Sequence, residues 1–338
     1  MDTILFITAV EPDGGLSKAS LEALGAAKAL ADGLSASLCA GLVGADVSAA
    51  AKACAGVTAI YGVSGAEFAD SRYASDAAAI EAICKAANAG MVIGPDSSRM
   101  SRVLPGVAQR LGGKIDTHLT GLAARDGKPV VTRWYYRQRM YAELTREQRP
   151  WFMTVSPGCF AAYEGAGEAA VTAVDVALPD AARRTTVKAI LSPSAGEQTI
   201  RPDAAMLLVA GAGWTKKQAD GAAHADVAGT LILGFLDKTK ASLGSSKSLV
   251  DMGGDGQPVL PFLTHLHQVG QTGATPRHKK GLATCCHGEE PHVVGWRFVS
   301  ERRAVNLDPN CGWARGKADV LYVADAFAVM TKVNELLD

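Results

Sequence analysis

The chain has 338 residues, of which 48% are hydrophobic and 20% charged, and its 34 lysine and arginine residues balance its 34 aspartate and glutamate residues. This length exceeds one ordinary domain and indicates two. A net charge of zero gives no overall field that would attract nucleic acid or an anionic membrane. No apolar run is long enough to cross a bilayer. We therefore expect neither a nucleic-acid partner nor membrane insertion.

Two features of the sequence indicate the compartment. Residues 1–7 enter an apolar strand without a cationic lead or a cleavage site, so we do not expect secretion. The chain has seven cysteines without regular spacing, which is typical of a reducing compartment. We predict a cytoplasmic protein.

Apolar runs alternate with alanine-rich amphipathic stretches in the first half of the chain. The pattern predicts strands at 4–10, 36–43, 57–63 and 90–94 and helices at 17–31, 74–87 and 102–111. Ser17 is the expected cap of the first helix. Such alternation indicates a parallel sheet with helices on both faces. Further on, the extended segments 129–139 and 151–156 resemble edge or antiparallel additions, and 186–191 resembles a last strand.

A polar, proline-containing run at 192–197 predicts the boundary between an N-terminal domain, 1–197, and a C-terminal domain, 198–338. The second domain is predicted to have strands at 204–210, 282–286 and 303–306, a helical region at 226–243 and a closing helix at 327–337. Gly213, Gly288 and Asn306 follow or end these strands. Ligands bind beyond the carboxyl ends of strands in open parallel sheets, so this placement predicts a nucleotide-type cofactor.

Glycines and polar side chains concentrate in the run His-Gln-Val-Gly-Gln-Thr-Gly at 267–273. Its two glycines allow the backbone to come close to a bound ring or phosphate. The side chains of Gln268, Gln271 and Thr272 offer hydrogen bonds. The run is the strongest candidate for a ligand-binding loop.

Further motifs flank this loop on both sides. Upstream lies Gly-Ser-Ser-Lys-Ser-Leu-Val-Asp at 244–251, and downstream lie Gly-Glu-Glu-Pro-His at 288–292, Asn-Leu-Asp-Pro at 306–309 and Val-Ala-Asp-Ala-Phe at 323–327. In this order the set resembles the FAD-binding domain of the electron-transfer flavoprotein alpha subunit family. The N-terminal half resembles that family's nucleotide-hydrolase-like domain more loosely.

The resemblance implies an α/β protein of two domains, each a mainly parallel sheet layered with helices. The first domain would pair with a beta subunit that carries AMP or a second FAD, and the second would hold FAD. The implied function is to accept electrons from a flavin-dependent dehydrogenase and pass them to a downstream redox protein or quinone reductase. Such a chain is an electron carrier rather than a substrate-converting enzyme, because the flavin supplies the chemistry.

The resemblance also assigns roles to single residues. It implies that Thr272 contacts the flavin N5, that His292 lies near the pyrimidine carbonyl, and that Asn306 and Asp325 bind the adenosine end. Lys247 would supply positive charge beside the ring. The other residues expected to shape the cofactor site are Gly244, Ser245, Gln268, Val269, Gly270, Gln271, Gly273, His287, Gly288 and Asp308.

The sequence departs from the family pattern at several of these positions. Lys247 stands where the family has arginine, which keeps the charge but loses the planar fork. Residues 285–291 differ from the family's Gly-Ile-Ser-Gly-Ala-Ile-Gln, and Ala212 stands where an arginine is usual. These departures indicate a divergent member. They leave two alternatives open: a partner subunit of the same fold that has lost flavin binding and is structural, and a free-standing nucleotide-binding enzyme.

Two other clusters invite a function. Five of the seven histidines lie between His265 and His292, near Cys285 and Cys286, but their spacing matches no standard metal motif, so we predict no metal. Residues 133–139 mix basic and aromatic side chains, which would suit nucleic acid. In a neutral chain we predict instead an edge strand with a solvated basic face, or a surface for a partner protein.

Overall fold

The computed structural model describes residues 3–135, 140–190, 200–201, 204–251, 258–269, 277–285, 299–311 and 318–338. The chain divides into two compact units, Met1–Ile190 and Leu191–Asp338. The run at 192–197, where the sequence predicts the domain boundary, lies outside the described residues. Within the described ranges, no helix combines the length and apolar character that a membrane span requires.

The first unit contains one large mixed sheet. Its strands are β1 (Thr3–Ala9), β2 (Leu38–Gly44), β3 (Ala59–Ser64), β4 (Ala89–Pro95), β5 (Lys114–Arg125), β6 (Lys128–Tyr135), β7 (Met140–Leu144), β8 (Trp151–Val155) and β9 (Val171–Ala173). Its helices are α1 (Lys18–Leu34), α2 (Ser48–Lys52), α3 (Tyr73–Ala86) and α4 (Ser98–Arg110). The strand order is β7-β6-β5-β8-β4-β1-β2-β3-β9, and all neighbouring pairs are parallel except β5–β6 and β6–β7.

Both faces of this sheet are buried, as the alternation of strands and helices predicts. Ile4 and Phe6 of β1 lie in a core with Leu24 of α1, whereas Leu5 lies in the opposite core with Ile80 of α3. Successive side chains of a strand point to opposite faces, so one apolar strand supplies both cores. The prediction of an α/β fold with mainly parallel, helix-covered sheets is confirmed.

The local predictions for the first unit succeed at the start of the chain and fail near its end. Ser17 caps α1, and its hydroxyl accepts a hydrogen bond from the Ser20 amide at 3.2 Å. Segment 151–156, predicted as an edge or antiparallel addition, instead contains β8, which is buried and parallel between β4 and β5. The strand predicted at 186–191 does not form over its described part, 186–190, which is exposed.

The hairpin of β6 and β7 corrects the interpretation of residues 133–139. β6 is not an edge strand, because it pairs with β5 on one side and β7 on the other. Trp134 makes an edge-on ring contact with Tyr141, with centroids 5.9 Å apart, and the Arg133 guanidinium lies 5.0 Å from the Tyr135 ring centroid. Arg133 therefore packs on Tyr135 within β6, whereas Trp134 packs on Tyr141 of β7. Residues 136–139 lie outside the described residues.

A buried carboxylate ties the β5 end of the sheet together. Asp116 is 2% exposed and accepts hydrogen bonds from Arg146 Nη2 and Trp151 Nε1, each at 2.9 Å. The Arg133 guanidinium lies 3.6 Å away. Burial by itself raises the pKa of Asp116, but the hydrogen bonds from Arg146 and Trp151 outweigh it and hold the pKa below its ordinary value.

The second unit has a smaller, parallel sheet. Its strands are β10 (Met206–Ala210), β11 (Ser242–Ser245), β12 (Lys280–Thr284), β13 (Glu301–Asn306) and β14 (Val320–Val323), in the order β11-β10-β12-β13-β14. Its helices are α5 (Ala225–Thr239), α6 (Lys247–Asp251) and α7 (Ala326–Leu336). The α5 and α7 helices pack together, and Met330 of α7 is fully buried.

Two predictions for the second unit need correction. The helix predicted at 226–243 ends at Thr239, because Lys240 adopts a left-handed conformation with φ of 53°, and Leu243 belongs to β11. The closing helix predicted at 327–337 ends at Leu336, and Leu337 follows it and is 44% exposed. Both errors concern helix ends, which apolar periodicity alone does not define.

Candidate cofactor site

The carboxyl ends of the second sheet form one continuous edge, because all its pairs are parallel. From β11 to β14 this edge spans about 19 Å, given a strand spacing of about 4.8 Å. The chain passes from β10 through α5 to β11 on one side, and β12 pairs with β10 on the other side. Such a reversal of strand order creates the crevice in which open α/β sheets bind ligands.

A hollow of about 210 Å³ opens at the ends of β10, β12, β13 and β14. It is lined by Gly213, Lys216, Lys217, Gln218, Cys285, Asn306, Leu307, Asp308, Ala324, Asp325 and Ala326. The structure thus brings together Asn306, Asp308 and Asp325, all expected from the sequence. Lys216 and Lys217 were not predicted, and only their position after β10 could have indicated them.

Close packing explains the glycine at the entrance of this hollow. The Gly213 amide donates a hydrogen bond to the Cys285 carbonyl at 3.0 Å. A Cβ atom on Gly213 would lie 2.8 Å from the Cys285 Cβ, so a side chain there would displace the loop. Shielding from solvent, with the nearby Asp325 carboxylate, raises the pKa of the Cys285 thiol to about 12. The thiol is therefore protonated near neutral pH.

Asp308 and Asp325 are held by their own backbone contacts. Asp325 caps α7, and its Oδ1 accepts from the Phe327 amide at 3.1 Å. Asp308 Oδ1 accepts from the Asn310 amide at 2.8 Å. Asn306, at the end of β13, is 7% exposed. The hollow therefore combines carboxylate acceptors, an amide and two lysines, a set that suits a ligand with hydroxyl and ring-nitrogen groups.

At the other end of the edge, β11 packs against the segment that precedes the predicted ligand-binding loop. Ser245 and Gln268 form a parallel bridge, and the Val269 amide donates to the Ser245 carbonyl at 3.1 Å. A Cβ atom on Gly244 would lie 2.7 Å from the Val269 Cγ2, so the loop approaches closely only because this residue is glycine. Four predicted site residues therefore meet here.

Two buried hydroxyls at this point have unused hydrogen-bonding capacity. Ser245 is 0% exposed and Ser246 is 1% exposed, and neither Oγ has a hydrogen-bond partner in the described part of the chain. Buried polar groups are nearly always hydrogen-bonded, so an unpaired buried hydroxyl calls for a partner. Their place at the carboxyl end of β11 makes them candidates for ligand contact.

Lys247 and His265 both lie close to the Asp251 carboxylate near β11. Lys247 Nζ lies 3.4 Å from Asp251 Oδ2, and the His265 Nδ1 lies 3.6 Å from Asp251 Oδ1. The Gln268 amide nitrogen lies 2.6 Å from the same His265 nitrogen. Burial lowers the pKa of His267, against the opposing effect of a backbone hydrogen bond with Thr264, so His267 is neutral near pH 7. Lys247 therefore supplies positive charge at the β11 end of the sheet, and the nearby Asp251 carboxylate partly offsets it.

The remaining predicted site residues lie outside the described residues, and their roles stay predictions. They are Gly270, Gln271, Thr272, Gly273, His287, Gly288 and His292. Cys286 also lies outside them. Within the described ranges, no group of three or more histidine, cysteine, aspartate or glutamate side chains is arranged to hold a metal ion.

Comparison with known proteins identifies the family. A family model described as the electron transfer flavoprotein domain matches residues 4–179, which is just over half of the chain. The chain belongs to the electron transfer flavoprotein family. It is similar to the electron transfer flavoprotein subunit alpha of Syntrophomonas wolfei subsp. wolfei (strain DSM 2245B / Goettingen), with 28% identity over 231 residues, 68% of this chain and 67% of that protein. The chain is therefore an alpha-subunit-like member of this family. The family model matches the N-terminal half, whose sequence resembles the family more loosely than the motifs of the second unit do.

Proposed function

We propose that this electron transfer flavoprotein subunit binds FAD along the carboxyl edge of its second sheet. The observation that supports this most is the pair of buried hydroxyls of Ser245 and Ser246, which have no hydrogen-bond partner among the described residues and lie on the same edge as the hollow at Asn306 and Asp325. Hydroxyl donors at one end and carboxylate and amide groups at the other suit a ligand that carries phosphate and ribose groups. The residues present fit FAD.

Each group of residues has a distinct task in this proposal. Asn306 and Asp325 would hold the adenosine end, and the Ser245 and Ser246 hydroxyls at the carboxyl end of β11 would donate to the cofactor near the crevice. Lys247 would provide positive charge, which favours added negative charge on a nearby ring. When bound, the flavin supplies the electron-accepting chemistry, and the chain orients it and excludes water.

The proposed partners follow from the family. The chain would pair through its first unit with a beta subunit, accept electrons from a flavin-dependent dehydrogenase, and pass them to a downstream redox protein or quinone reductase. Met140 and Tyr141 on β7 are 52% and 62% exposed, so they offer apolar contact area for a protein partner. The six described cysteines are free thiols, which supports a reducing, cytoplasmic compartment.

Co-expression with the beta subunit tests the proposal. The purified complex should show a flavin absorption spectrum, and FAD released on denaturation should rise when FAD is added to the wild-type complex. A colourless complex that takes up no added FAD would instead support the alternative of a structural subunit.

A double variant of Ser245→Ala and Ser246→Ala sharpens this test. Removing unpaired buried hydroxyls should leave the FAD-free chain as stable as the wild type, or more stable, because the desolvation cost of each hydroxyl disappears. The same variant should retain less FAD. Ser64→Ala, at the end of β3 in the other sheet, is the matched control and should change neither property. Unchanged FAD retention in the double variant would show that these hydroxyls do not contact the cofactor.

A further inference from the structure

His267 is the first residue of the predicted ligand-binding loop, and none of the roles proposed above uses its imidazole ring. The residue is 2% exposed. The next residue, Gln268, forms a parallel bridge with Ser245. The His267 carbonyl oxygen lies 3.7 Å from the position that a Cβ atom on Gly244 would take. The chain therefore holds His267 against the carboxyl end of β11, at the edge where FAD is proposed to bind.

One nitrogen of this ring is occupied by a helix cap. Thr264 begins the single helical turn His265–His267, and its amide donates a hydrogen bond to His267 Nδ1 at 3.0 Å as part of a capping box. The Thr264 carbonyl oxygen is farther from Nδ1, at 3.3 Å. Because Nδ1 accepts the amide hydrogen, the neutral ring carries its own hydrogen on Nε2.

The other nitrogen, Nε2, is a buried donor that has no acceptor among the described residues. Burial lowers the pKa of His267, so the ring is neutral near pH 7. A buried N–H group without an acceptor destabilises a fold, and such groups are rare in native proteins. The ring is thus fixed through Nδ1, while Nε2–H is left to donate to a group other than these residues.

Two more buried donors lie at the same end of β11. The hydroxyl oxygens of Ser245 and Ser246 also have no hydrogen-bond partner in the described part of the chain. Ser245 ends the strand and Ser246 follows it, whereas His267 belongs to the segment that bridges to the strand. Donors from two separate segments indicate one shared ligand rather than separate packing defects.

The charge at this edge indicates which acceptor suits these donors. The His267 ring and both hydroxyls are uncharged, and the nearby Lys247 ammonium lies 3.4 Å from the Asp251 carboxylate. Neutral donors suit an oxygen that carries partial or full negative charge, because they stabilise it without a proton transfer. FAD has such oxygens on its ring carbonyls and on its diphosphate.

We propose that His267 donates a hydrogen bond from Nε2–H to an oxygen of bound FAD, and that the Thr264 cap orients the ring for this contact. This role depends on the FAD site proposed above and adds a binding residue to it. His267 would contact the cofactor directly, whereas Thr264 would be a positioning residue. A histidine with only a structural role would use Nδ1 alone.

Two substitutions of His267 separate the tasks of its two nitrogens. The side-chain oxygen of His267→Asn is bonded to Cγ, as Nδ1 is, so it can still accept from the Thr264 amide. No atom of that variant reaches the position of Nε2. The amide nitrogen of His267→Gln reaches this position and can donate there, but the cap is lost.

Titration of the FAD-free complex with FAD, in the presence of the beta subunit and followed by flavin fluorescence, measures the affinity. Both variants should lower the thermal unfolding midpoint of the FAD-free complex by about 2–4 °C, because one fills the buried site less well and the other loses the cap. FAD affinity should fall about tenfold in His267→Asn, which corresponds to about 1.4 kcal/mol, and stay at the wild-type value in His267→Gln. His118→Asn, in β5 of the other sheet, is the matched control and should bind FAD as the wild type does.

Nitrogen NMR of the wild-type complex, labelled with ¹⁵N-histidine, gives a readout that a structural role would not change. The His267 signals are those missing from the spectrum of either variant. Addition of FAD should move the Nε2 proton to lower field and slow its exchange with water, while Nδ1 keeps the chemical shift of an acceptor nitrogen. The titrated protein carries no substitution, so this measurement decides the question even where one variant does not fold.

Three results would overturn the role of His267: wild-type FAD affinity in His267→Asn, an equal loss of affinity in both variants, or an Nε2 signal that bound FAD does not shift. Each of these requires a wild-type complex that binds FAD, so the FAD site itself would stand. A wild-type complex that takes up no FAD would refute the FAD site and this role together.

Discussion

Substitutions of Asp325 can separate its role in capping a helix from its proposed role in binding the cofactor. It caps α7 through a 3.1 Å hydrogen bond from the Phe327 amide, and it lines the hollow at the carboxyl edge. Loss of a cap costs about 1 kcal/mol, but asparagine caps as well as aspartate. Asp325→Ala should therefore lower the free energy of unfolding by about 1–1.5 kcal/mol. Asp325→Asn should lower it by only about 0.5 kcal/mol, through the lost charge at the helix start.

The effect on the cofactor should follow a different order. If the carboxylate accepts a hydrogen bond from FAD, both variants lose a charged acceptor, a change of about 1.5–3 kcal/mol. That corresponds to roughly a 10-fold to 150-fold weaker FAD affinity in both variants. The two variants should therefore differ in their free energy of unfolding but have about the same FAD affinity.

Two measurements on the complex with the beta subunit check this. Urea unfolding of the FAD-free form gives the stability, and titration with FAD followed by flavin fluorescence gives the affinity. Asp226→Asn is the control, because it removes an acidic residue from the first turn of α5 without lining the hollow. Wild-type FAD affinity in Asp325→Asn would refute the assignment of this carboxylate to the cofactor.

Three further predictions concern other parts of the chain. Asp116→Asn should lower the free energy of unfolding in urea by about 2–3 kcal/mol, since buried donors lose their charged acceptor. The pKa of Asp116 is lowered in the folded state. The stabilisation that this carboxylate provides is therefore present above about pH 4 and is lost as the pH falls through the folded-state pKa. The free energy of unfolding of Asp116→Asn should accordingly fall less in acid than that of the wild type. At pH 8 iodoacetamide should label the partly exposed Cys159 and spare Cys285, whose pKa is about 12; equal labelling in peptide mass mapping would contradict this. In the FAD-loaded complex, Lys247→Met should lower the flavin potential by up to about 40 mV, since a screened charge at about 4 Å contributes about 1 kcal/mol; Lys332→Met should leave it unchanged in the same potentiometric titration.

The sequence predicts the first four strands and the helices α1, α3 and α4, but not the short α2, because the signals of the longer elements are local. Alternating apolar runs report burial on both faces, and Ser17 marks a helix start directly. The central position of β8 could not be obtained in this way. An apolar run such as Trp151–Val155 indicates that a strand is buried, but its neighbours β4 and β5 are set by pairing between segments distant in sequence.

The candidate site shows the same division between local and non-local signals. Gly244, Gln268 and Asn306 were predicted because they belong to short motifs, and the structure places each at the carboxyl edge of the second sheet. Lys216 was not predicted, because it belongs to no recognisable motif and reaches the hollow only through the turn after β10. The end of α5 was also missed, because it is marked by a left-handed lysine, Lys240, rather than by glycine.

The two sheets share one topological feature, and the polar side chains beyond its second strand differ. In each, the chain runs from one strand through a helix to the neighbouring parallel strand, β1 to β2 and β10 to β11. The first polar residue beyond the second strand then differs: Asp46, two residues after β2, can only accept hydrogen bonds, whereas Ser246, directly after β11, can donate one without adding negative charge. A carboxylate there favours sugar hydroxyls and repels phosphates, and a neutral donor tolerates a diphosphate.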